Sequence, residues 1–180
     1  MTRPYVTHEQ QIMGSLPTAD ILEATDGPLQ DGTMQWEALA PMASLLNAGD
    51  VLVQYDQAYE RYDTPIPQVV AAQLTTPPPG LTHPVAYGAP RPNVPLLPHT
   101  DEATLALPAN PGWPAPLVSY TVTAPRPIVR AESTATPLVV AGSAPGLVGA
   151  ASVGLLTGNP TILYAGDPGP SSPLCLSSSA

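Results

Sequence analysis

The sequence contains neither lysine nor phenylalanine, and its five basic residues are all arginine. Acidic residues number 14, so the formal net charge at pH 7 is −9. Binding to nucleic-acid phosphates or to anionic lipid surfaces needs clustered cations. The composition therefore argues against both as partners and leaves neutral sugars and protein surfaces open.

Cysteine and uninterrupted apolar runs are equally scarce. Cys175 is the single cysteine, so the chain cannot form an internal disulfide. The uncharged stretch 133–166 is interrupted by Gly142-Ser-Ala-Pro-Gly146 and by Thr157-Gly-Asn-Pro160. Each apolar piece is then shorter than the about 20 residues that a membrane-spanning helix needs. We expect buried strands and a helix there, and the N-terminus shows no apolar stretch typical of a signal peptide.

Proline is the abundant residue, and 14 of the 26 prolines fall within 77–127. Because proline lacks a backbone donor, it disfavours helix interiors and central strands. We expect extended, polyproline-like chain and turns over 77–116. This stretch is interpreted as a linker or as chain wrapped over a partner surface. It divides the sequence into 1–76, 77–116, 117–166 and a Gly/Pro/Ser-rich tail, 167–180, which we expect to be disordered.

The first segment has the pattern of an αβ unit. Thr18 to Thr25 is predicted to be a short helix that Gly27-Pro28 ends. Trp36 to Ala48 has helical apolar spacing, with Gly49 suited to the position after its end. The run Val51 to Tyr55 is predicted to be a strand.

The third segment has the pattern of strands around one helix. Val118, Tyr120 and Val122 alternate with polar residues, as in a half-buried strand. An edge strand over Pro127 to Ala131 is a further expectation. Strands at 137–141 and 161–165, with a helix at 145–156 between them, predict a βαβ crossover. The fold class is therefore α/β (mixed α+β), with the pieces forming an incomplete domain.

Four carboxylates surround the first predicted strand. Paired carboxylates can perform acid–base chemistry or bind a hard cation such as Ca²⁺, and a standalone hydrolase would need them in one cleft. Arg61 lies among them, however, and no calcium-loop spacing occurs. Local ion pairing in a solvated loop is the favoured interpretation. The four are Asp50, Asp56, Glu60 and Asp63.

The Gly-rich turn Val140 to Gly149 lies between a predicted strand and a predicted helix. Free N–H groups at such a helix start can hold a phosphate or sugar oxygen, but the turn lacks a P-loop lysine and the Gly-x-Gly-x-x-Gly spacing. We favour a tight connection. The three histidines lie far apart without metal-ligand spacing. The sequence therefore predicts no catalytic residue, no metal site and no cofactor.

Aromatic residues supply flat rings with one polar group, which can stack against sugar rings. Trp36, Tyr120 and Tyr164 fall within predicted elements, so we expect them in the core. The aromatic residues nearer to loops are better placed for a ligand. Our predicted carbohydrate-binding residues are Tyr55, Asp56, Tyr59 and Trp113.

Several phrases resemble one family. They are Gly27-Pro-Leu-Gln-Asp-Gly32, then the run from Ala40 to Asp56, then Tyr59-Glu-Arg-Tyr62, and a run that begins at Leu138. They resemble the extracytoplasmic region of the actinobacterial α-(1→3)-arabinofuranosyltransferases. The resemblance covers most of 4–166, and Leu46-Asn-Ala-Gly-Asp-Val-Leu-Val-Gln-Tyr-Asp56 is its most specific part.

The resemblance implies a place in a larger protein. Members of that family are polytopic membrane glycosyltransferases that build cell-wall arabinan from decaprenyl-phosphoryl arabinose. Their catalytic acidic residue lies on a loop near membrane helices, so no catalytic residue carries over to this chain. The resemblance implies a non-catalytic segment on the extracytoplasmic face of the membrane that holds arabinan acceptor or braces the membrane portion of the parent protein. The alternative is a protein-interaction module that docks through its Pro-rich segment.

Overall fold

The computed structural model describes residues 16–62, 64–97, 102–109, 111–127, 129–131 and 136–165. The fold is mixed α+β, as predicted, with an antiparallel and a parallel sheet. The helices are α1 (Leu16–Gln30), a 3-10 turn (Trp36–Ala38), α2 (Leu39–Leu45), α3 (Tyr59–Tyr62), α4 (Pro67–Gln73), α5 (Glu102–Leu105) and α6 (Ala144–Ser152). The strands are β1 (Asp50–Gln54), β2 (Leu81–Tyr87), β3 (Leu117–Val122), β4 (Leu138–Val140) and β5 (Ile162–Tyr164).

The antiparallel sheet has the strand order β1-β3-β2. The predicted strands at 51–55 and around 118–122 are its edge strand β1 and its central strand β3. Val53 lies opposite Val118 in the register. Tyr120 and Val122 are buried while Thr121 between them is exposed, which is the alternation expected of a strand with one covered face.

Strand β2 corrects part of the linker prediction. It lies within 77–116 yet pairs with β3, although it contains Pro84. The register shifts between Thr82 and Val85, and His83 between them has a positive φ of 52°. An irregularity at an edge strand accommodates a residue that cannot donate a ladder hydrogen bond. The single helical turn α5 is a second departure from the expected extended chain.

Helix α1 is longer than predicted, because Gly27 and Pro28 lie inside it. The hydrogen bonds that follow Pro28 are kept: Asp31 N donates to Gly27 O at 2.9 Å and Thr33 N to Pro28 O at 2.8 Å. Gly32, with φ of +70°, ends the helix instead. A glycine with positive φ, followed by a hydrogen bond from the next N–H, that of Thr33, back to the carbonyl oxygen of Pro28, is typical of a helix C-terminus.

Helix α2 packs between two cores, and it starts from the 3-10 turn rather than as one long helix from Trp36. Leu39 and Ala43 pack towards the antiparallel sheet. Ala38 and Met42, both fully buried, pack against α1, α6 and the parallel strands. Asn47, with φ of +65°, takes the left-handed position after the helix that the sequence had suggested for Gly49.

The predicted strand, helix and strand near the C-terminus are β4, α6 and β5. The strands pair in parallel, with Leu138 opposite Ile162 and Val140 opposite Tyr164. Buried Arg126 donates from Nε to Oδ1 of Asn159 at 2.8 Å and so joins the chain after β3 to the loop before β5. The edge strand expected at 127–131 is wrong for its described residues, which have no strand conformation.

The remaining sequence expectations stay as predictions. Helix α4 was not predicted. Its first residue is Pro67, and the first position of a helix favours proline, so this residue was a signal for the helix start. The tail 167–180 and Cys175 lie outside the described residues. The domain boundaries and the incompleteness of the domain remain predictions, although β2 and β3 pair across the proposed boundary at 116–117.

Candidate functional site

A small cleft lies where β1 ends. Tyr55 follows β1 directly, and its N–H donates to the carbonyl oxygen of Pro116 at 2.8 Å, which extends the pairing by one residue. The in-out alternation continues, so Tyr55 is buried and Asp56 is exposed. The cleft has a volume of about 270 Å³. It is lined by Tyr55, Asp56, Arg91, Pro92, Asn93, Trp113, Pro114 and Pro116.

Three of the four predicted sugar-binding residues, Tyr55, Asp56 and Trp113, line this one cleft. They come from two stretches of chain that the antiparallel sheet brings together, since Tyr55 follows β1 and Trp113 precedes β3. Trp113 is half-buried. Part of Trp113 is therefore accessible in the cleft, beside the polar groups of Asp56, Arg91 and Asn93.

Asn93 holds the Pro-rich chain against the end of β1. Its Nδ2 donates to the carbonyl oxygen of Tyr55 at 3.0 Å and to that of Gln57 at 2.8 Å. Both bonds use backbone acceptors, so the contact depends on the shape of the chain after β1 more than on its side chains. One wall of the cleft is thereby fixed on the β1 end.

Asp56 and Arg91 form an ion pair across the cleft lining. Arg91 donates to Asp56 Oδ2 at 3.0 Å, and Gln54 Nε2 donates to Asp56 Oδ1 at 2.9 Å. The Arg91 side chain is 63% exposed, so the pair adds little to stability. Its main effect is electrostatic, because Asp56 and Arg91 are the only charged residues among the described residues of the lining, and their charges cancel.

Tyr55 connects the cleft with the core beneath it. It is 4% exposed and forms a hydrogen bond with the phenol of Tyr120 on β3. Burial, and then the nearby Tyr120 phenol, raise the pKa of Tyr55 far above its ordinary value. Tyr55 therefore stays protonated at neutral pH and acts as a wall of the cleft rather than as a base.

Tyr59, the fourth predicted residue, does not line the cleft. It is 4% exposed and packs with Ile66 and Val69 in a separate apolar cluster. Burial, and then the neighbouring Glu60 carboxylate, raise the pKa of Tyr59. The sequence suggested exposure because Tyr59 lies in a loop-like region, but Tyr59 begins α3, and Ile66 and Val69 at the start of α4 pack against it.

The described carboxylates around β1 have separate partners and do not gather into one site. Asp50 accepts from Thr121 Oγ1 at 3.3 Å, and Asp56 pairs with Arg91. Glu60 Oε1 accepts from the backbone N–H of Leu96 at 3.3 Å, and its Oε2 is buried with no partner among the described residues. Asp63 lies outside the described residues. The three described carboxylates, Asp50, Asp56 and Glu60, therefore do not form an acid–base pair of the kind that a hydrolase needs.

The Gly-rich turn before α6 has surroundings that oppose anion binding. Ser143 makes no side-chain bond to the helix start. The carboxylates of Asp20, Glu23 and Asp31 line the same groove as Ser143, and like charge repels a phosphate. His83 is exposed on β2, while His8 and His99 lie outside the described residues.

Sequence reasoning missed Arg91 and Asn93. Both lie in the segment interpreted as a linker, where their polar character had no obvious use. A signal was nevertheless present, since Arg91 is the only Asp, Glu, Lys or Arg residue between positions 64 and 100. A single charge in a long neutral stretch indicates a specific partner.

Comparisons with family models, with curated proteins and with solved structures found no match. Within the described ranges, no three His, Cys, Asp or Glu residues are grouped as a metal ion would require. None of the helices in the described part of the chain has the length and apolar character to cross a bilayer.

Proposed function

We propose that this chain is a non-catalytic glycan-binding segment of a cell-wall glycosyltransferase-like protein, and that the cleft beside Trp113 holds one neutral sugar residue. The observation that carries the proposal is the meeting of Trp113, Asp56, Arg91 and Asn93 at one small cleft. An accessible indole ring next to charged and amide groups suits a sugar, because a sugar has apolar faces and a polar rim.

The size of the cleft supports a single ring as the ligand. Its volume of about 270 Å³ lies just below the roughly 300–1,000 Å³ of pockets that take drug-sized ligands. Three of the eight described lining residues are proline, whose fixed backbone lowers the entropy lost when a ligand binds. A longer glycan would contact the cleft through one residue and extend into solvent.

The charge balance supports a neutral ligand. Asp56 and Arg91 neutralise each other, and the whole chain is strongly acidic. An acidic sugar would meet the overall negative field without a free cation in the cleft. A neutral sugar can accept a hydrogen bond from Arg91 and donate one to Asp56 at little electrostatic cost.

The resemblance to arabinofuranosyltransferases supports arabinan as the first glycan to test. It also places the chain, as part of this proposal, on the extracytoplasmic face of the membrane next to the membrane portion of a parent protein. Bracing that portion is compatible with a cleft that holds acceptor glycan, because the cleft uses one edge of the sheet only.

Titration of the full chain with neutral arabino-oligosaccharides, followed by amide chemical shifts, tests the proposal. We expect shifts at Asp56, Asn93 and Trp113 at millimolar ligand. Trp113→Ala should weaken binding about tenfold, whereas Trp113→Phe should retain most of it because a flat ring remains. Absence of shifts at millimolar ligand, or full binding by Trp113→Ala, would refute the proposal.

A second candidate function, protein interaction through the Pro-rich segment, is favoured by an exposed apolar group. Val94, Leu96 and Leu97 are between 74 and 92% exposed, and such clustering is typical of interaction surfaces.

Deleting 77–116 would also remove β2, so serine substitutions at the three positions are the better variant. They should lower the fluorescence of a hydrophobic dye bound to the chain, while a serine at exposed Leu16 should not; equal effects would contradict a patch at 94–97.

A further inference from the structure

A groove of about 660 Å³ lies between α1 and the start of α6, and none of the described residues that line it also lines the cleft at Trp113. One face of α1 forms one side, with Asp20, Glu23, Ala24, Gly27 and Pro28 at helical spacing. The volume falls within the range of binding pockets. The groove is therefore large enough to hold several side chains of a ligand.

The floor of the groove is apolar, and its residues have small side chains. Ala24, Ala144 and Val148 are buried and belong to the core between α1 and α6. Gly149 adds no side chain, and a Cβ built there would meet no atom within 4 Å. The space above α6 is thus open enough to accept apolar side chains from outside the fold.

The rim of the groove is negative. Asp20, Glu23 and Asp31 line it and are exposed, and no arginine is among the described residues that line it. Within the described part of the chain, none of the three carboxylates forms an ion pair. Carboxylates beside an apolar surface of low dielectric attract cations more strongly than the same groups in open solvent.

We propose that this groove binds a cationic amphipathic helical segment of a partner protein. Apolar side chains of that segment would enter between α1 and α6, and its Lys or Arg side chains would meet Asp20, Glu23 and Asp31. This is the helix-in-groove mode of peptide recognition. Charge complementarity selects this occupant, because a second copy of a chain with net charge −9 would be repelled and an anionic ligand would meet three carboxylates.

The probe is a synthetic helical peptide with leucine on one face and lysine on the other, titrated into the full chain. Amide shifts should appear at Asp20, Glu23 and Gly149. About 1 M salt should weaken the affinity at least tenfold by screening the carboxylates. A peptide with glutamate in place of lysine should not bind, and equal binding of the two peptides would overturn the proposal.

Matched variants test separately how the negative charge of the rim and the open space above α6 contribute to peptide binding. Glu23→Lys should lower the affinity at least fivefold, whereas Glu102→Lys, which changes the net charge equally at an exposed site outside the groove, should change it by less than about twofold. Gly149→Leu should block binding by filling the space, whereas Gly49→Leu should not. Each fold is checked by circular dichroism.

Three outcomes would overturn the proposal, and the first two would assign the groove to another occupant. A monomer–dimer equilibrium that Gly149→Leu abolishes would indicate a second copy of this chain. A rise in peptide affinity in Arg3→Glu would indicate that the chain's own N-terminal residues compete for the groove. Equal loss of peptide affinity in Glu23→Lys and Glu102→Lys would show attraction to the net charge alone.

Discussion

The phenol groups of Tyr55 and Tyr120 are hydrogen-bonded to each other inside the core of the antiparallel sheet. Each residue is 4% exposed. Tyr55 also lines the cleft at Trp113. The ring of Tyr55 therefore belongs both to the core and to the site, so a change in its ionisation affects stability and the shape of the cleft together.

This pair predicts a loss of stability at alkaline pH. Burial raises the pKa of both Tyr55 and Tyr120, so the folded protein keeps their protons at a pH where the unfolded chain releases them. The stabilisation is fully present below the ordinary tyrosine pKa of about 10, and it is lost as the pH rises from there towards the raised folded values. Urea unfolding at a series of pH values should show the free energy of unfolding falling above pH ~10.

The absence of lysine leaves tyrosines as the main groups that titrate in this range, and because burial also raises the pKa of Tyr59 and Tyr164, a variant is needed to assign the decline to the pair. No lysine titrates in the same range, and the arginines stay charged. Tyr120→Phe removes one titrating group and should make the alkaline decline shallower, at a cost of about 1 kcal/mol at neutral pH for the lost hydrogen bond. An alkaline decline equally steep in Tyr120→Phe and in the unmodified chain would contradict the assignment.

Asp56→Asn should change the ligand preference of the cleft. The substitution leaves Arg91 without its anionic partner, so the cleft gains a net positive charge. We expect an acidic oligosaccharide such as a uronide to bind at least threefold more tightly to the variant, while a neutral oligosaccharide changes little. Paired titrations with the two ligands measure this.

The matched control for that experiment is Glu102→Gln, which removes one negative charge away from the cleft lining. It should leave the ratio of the two affinities unchanged. A preference for the uronide in the unmodified chain would contradict the neutral-ligand assignment without contradicting sugar binding itself.

Gly80→Ala should destabilise the junction between α2 and β2. Gly80 has a φ of +87°, and a Cβ there would lie 2.7 Å from the Cβ of Ala40. Both the backbone conformation and the contact oppose a side chain, so we expect a loss of about 2–4 kcal/mol. Gly49→Ala, where a Cβ would meet open space, should change stability by less than about 1 kcal/mol. Equal effects in urea unfolding would contradict this account.

Met42→Ala should weaken the attachment of α6 more than that of the antiparallel sheet. Met42 is fully buried in the core between α2 and α6, so truncation should cost about 2–5 kcal/mol. Hydrogen exchange should accelerate first in α6 and β4. Leu16→Ala, at an 81% exposed position, should cost less than about 0.5 kcal/mol. Uniform acceleration across both sheets would mean that the two cores unfold as one unit.

The local pattern of apolar and polar residues predicted secondary structure correctly where an element has one buried face. The alternation around Tyr120 predicted β3, and Pro145 with its apolar neighbours predicted α6 between parallel strands. The same reasoning failed at Gly27-Pro28. A proline inside a helix loses one hydrogen bond and crowds the carbonyl group four residues earlier, and packing of α1 against α6 compensates for this cost. It also missed β2, since a strand at a sheet edge tolerates a proline that a central strand would reject.

The candidate site was predictable only in part. Tyr55, Asp56 and Trp113 could be proposed from residue type and from their nearness to loops. Arg91 and Asn93 could not, because their contacts lie 35 to 38 positions away in the chain. No local rule gives the partner of a polar residue at that separation.

The sequence alone determined the class of elements, the acidic and lysine-free surface and the Pro-rich middle, since each follows from residue type and short-range spacing. Tertiary structure decided that α2 is buried on two sides, that Tyr59 is covered while Trp113 stays accessible, and that Asp56 is paired with Arg91. Those outcomes depend on which distant surfaces meet, and the free energy of such contacts comes from packing and pairing that no local segment contains.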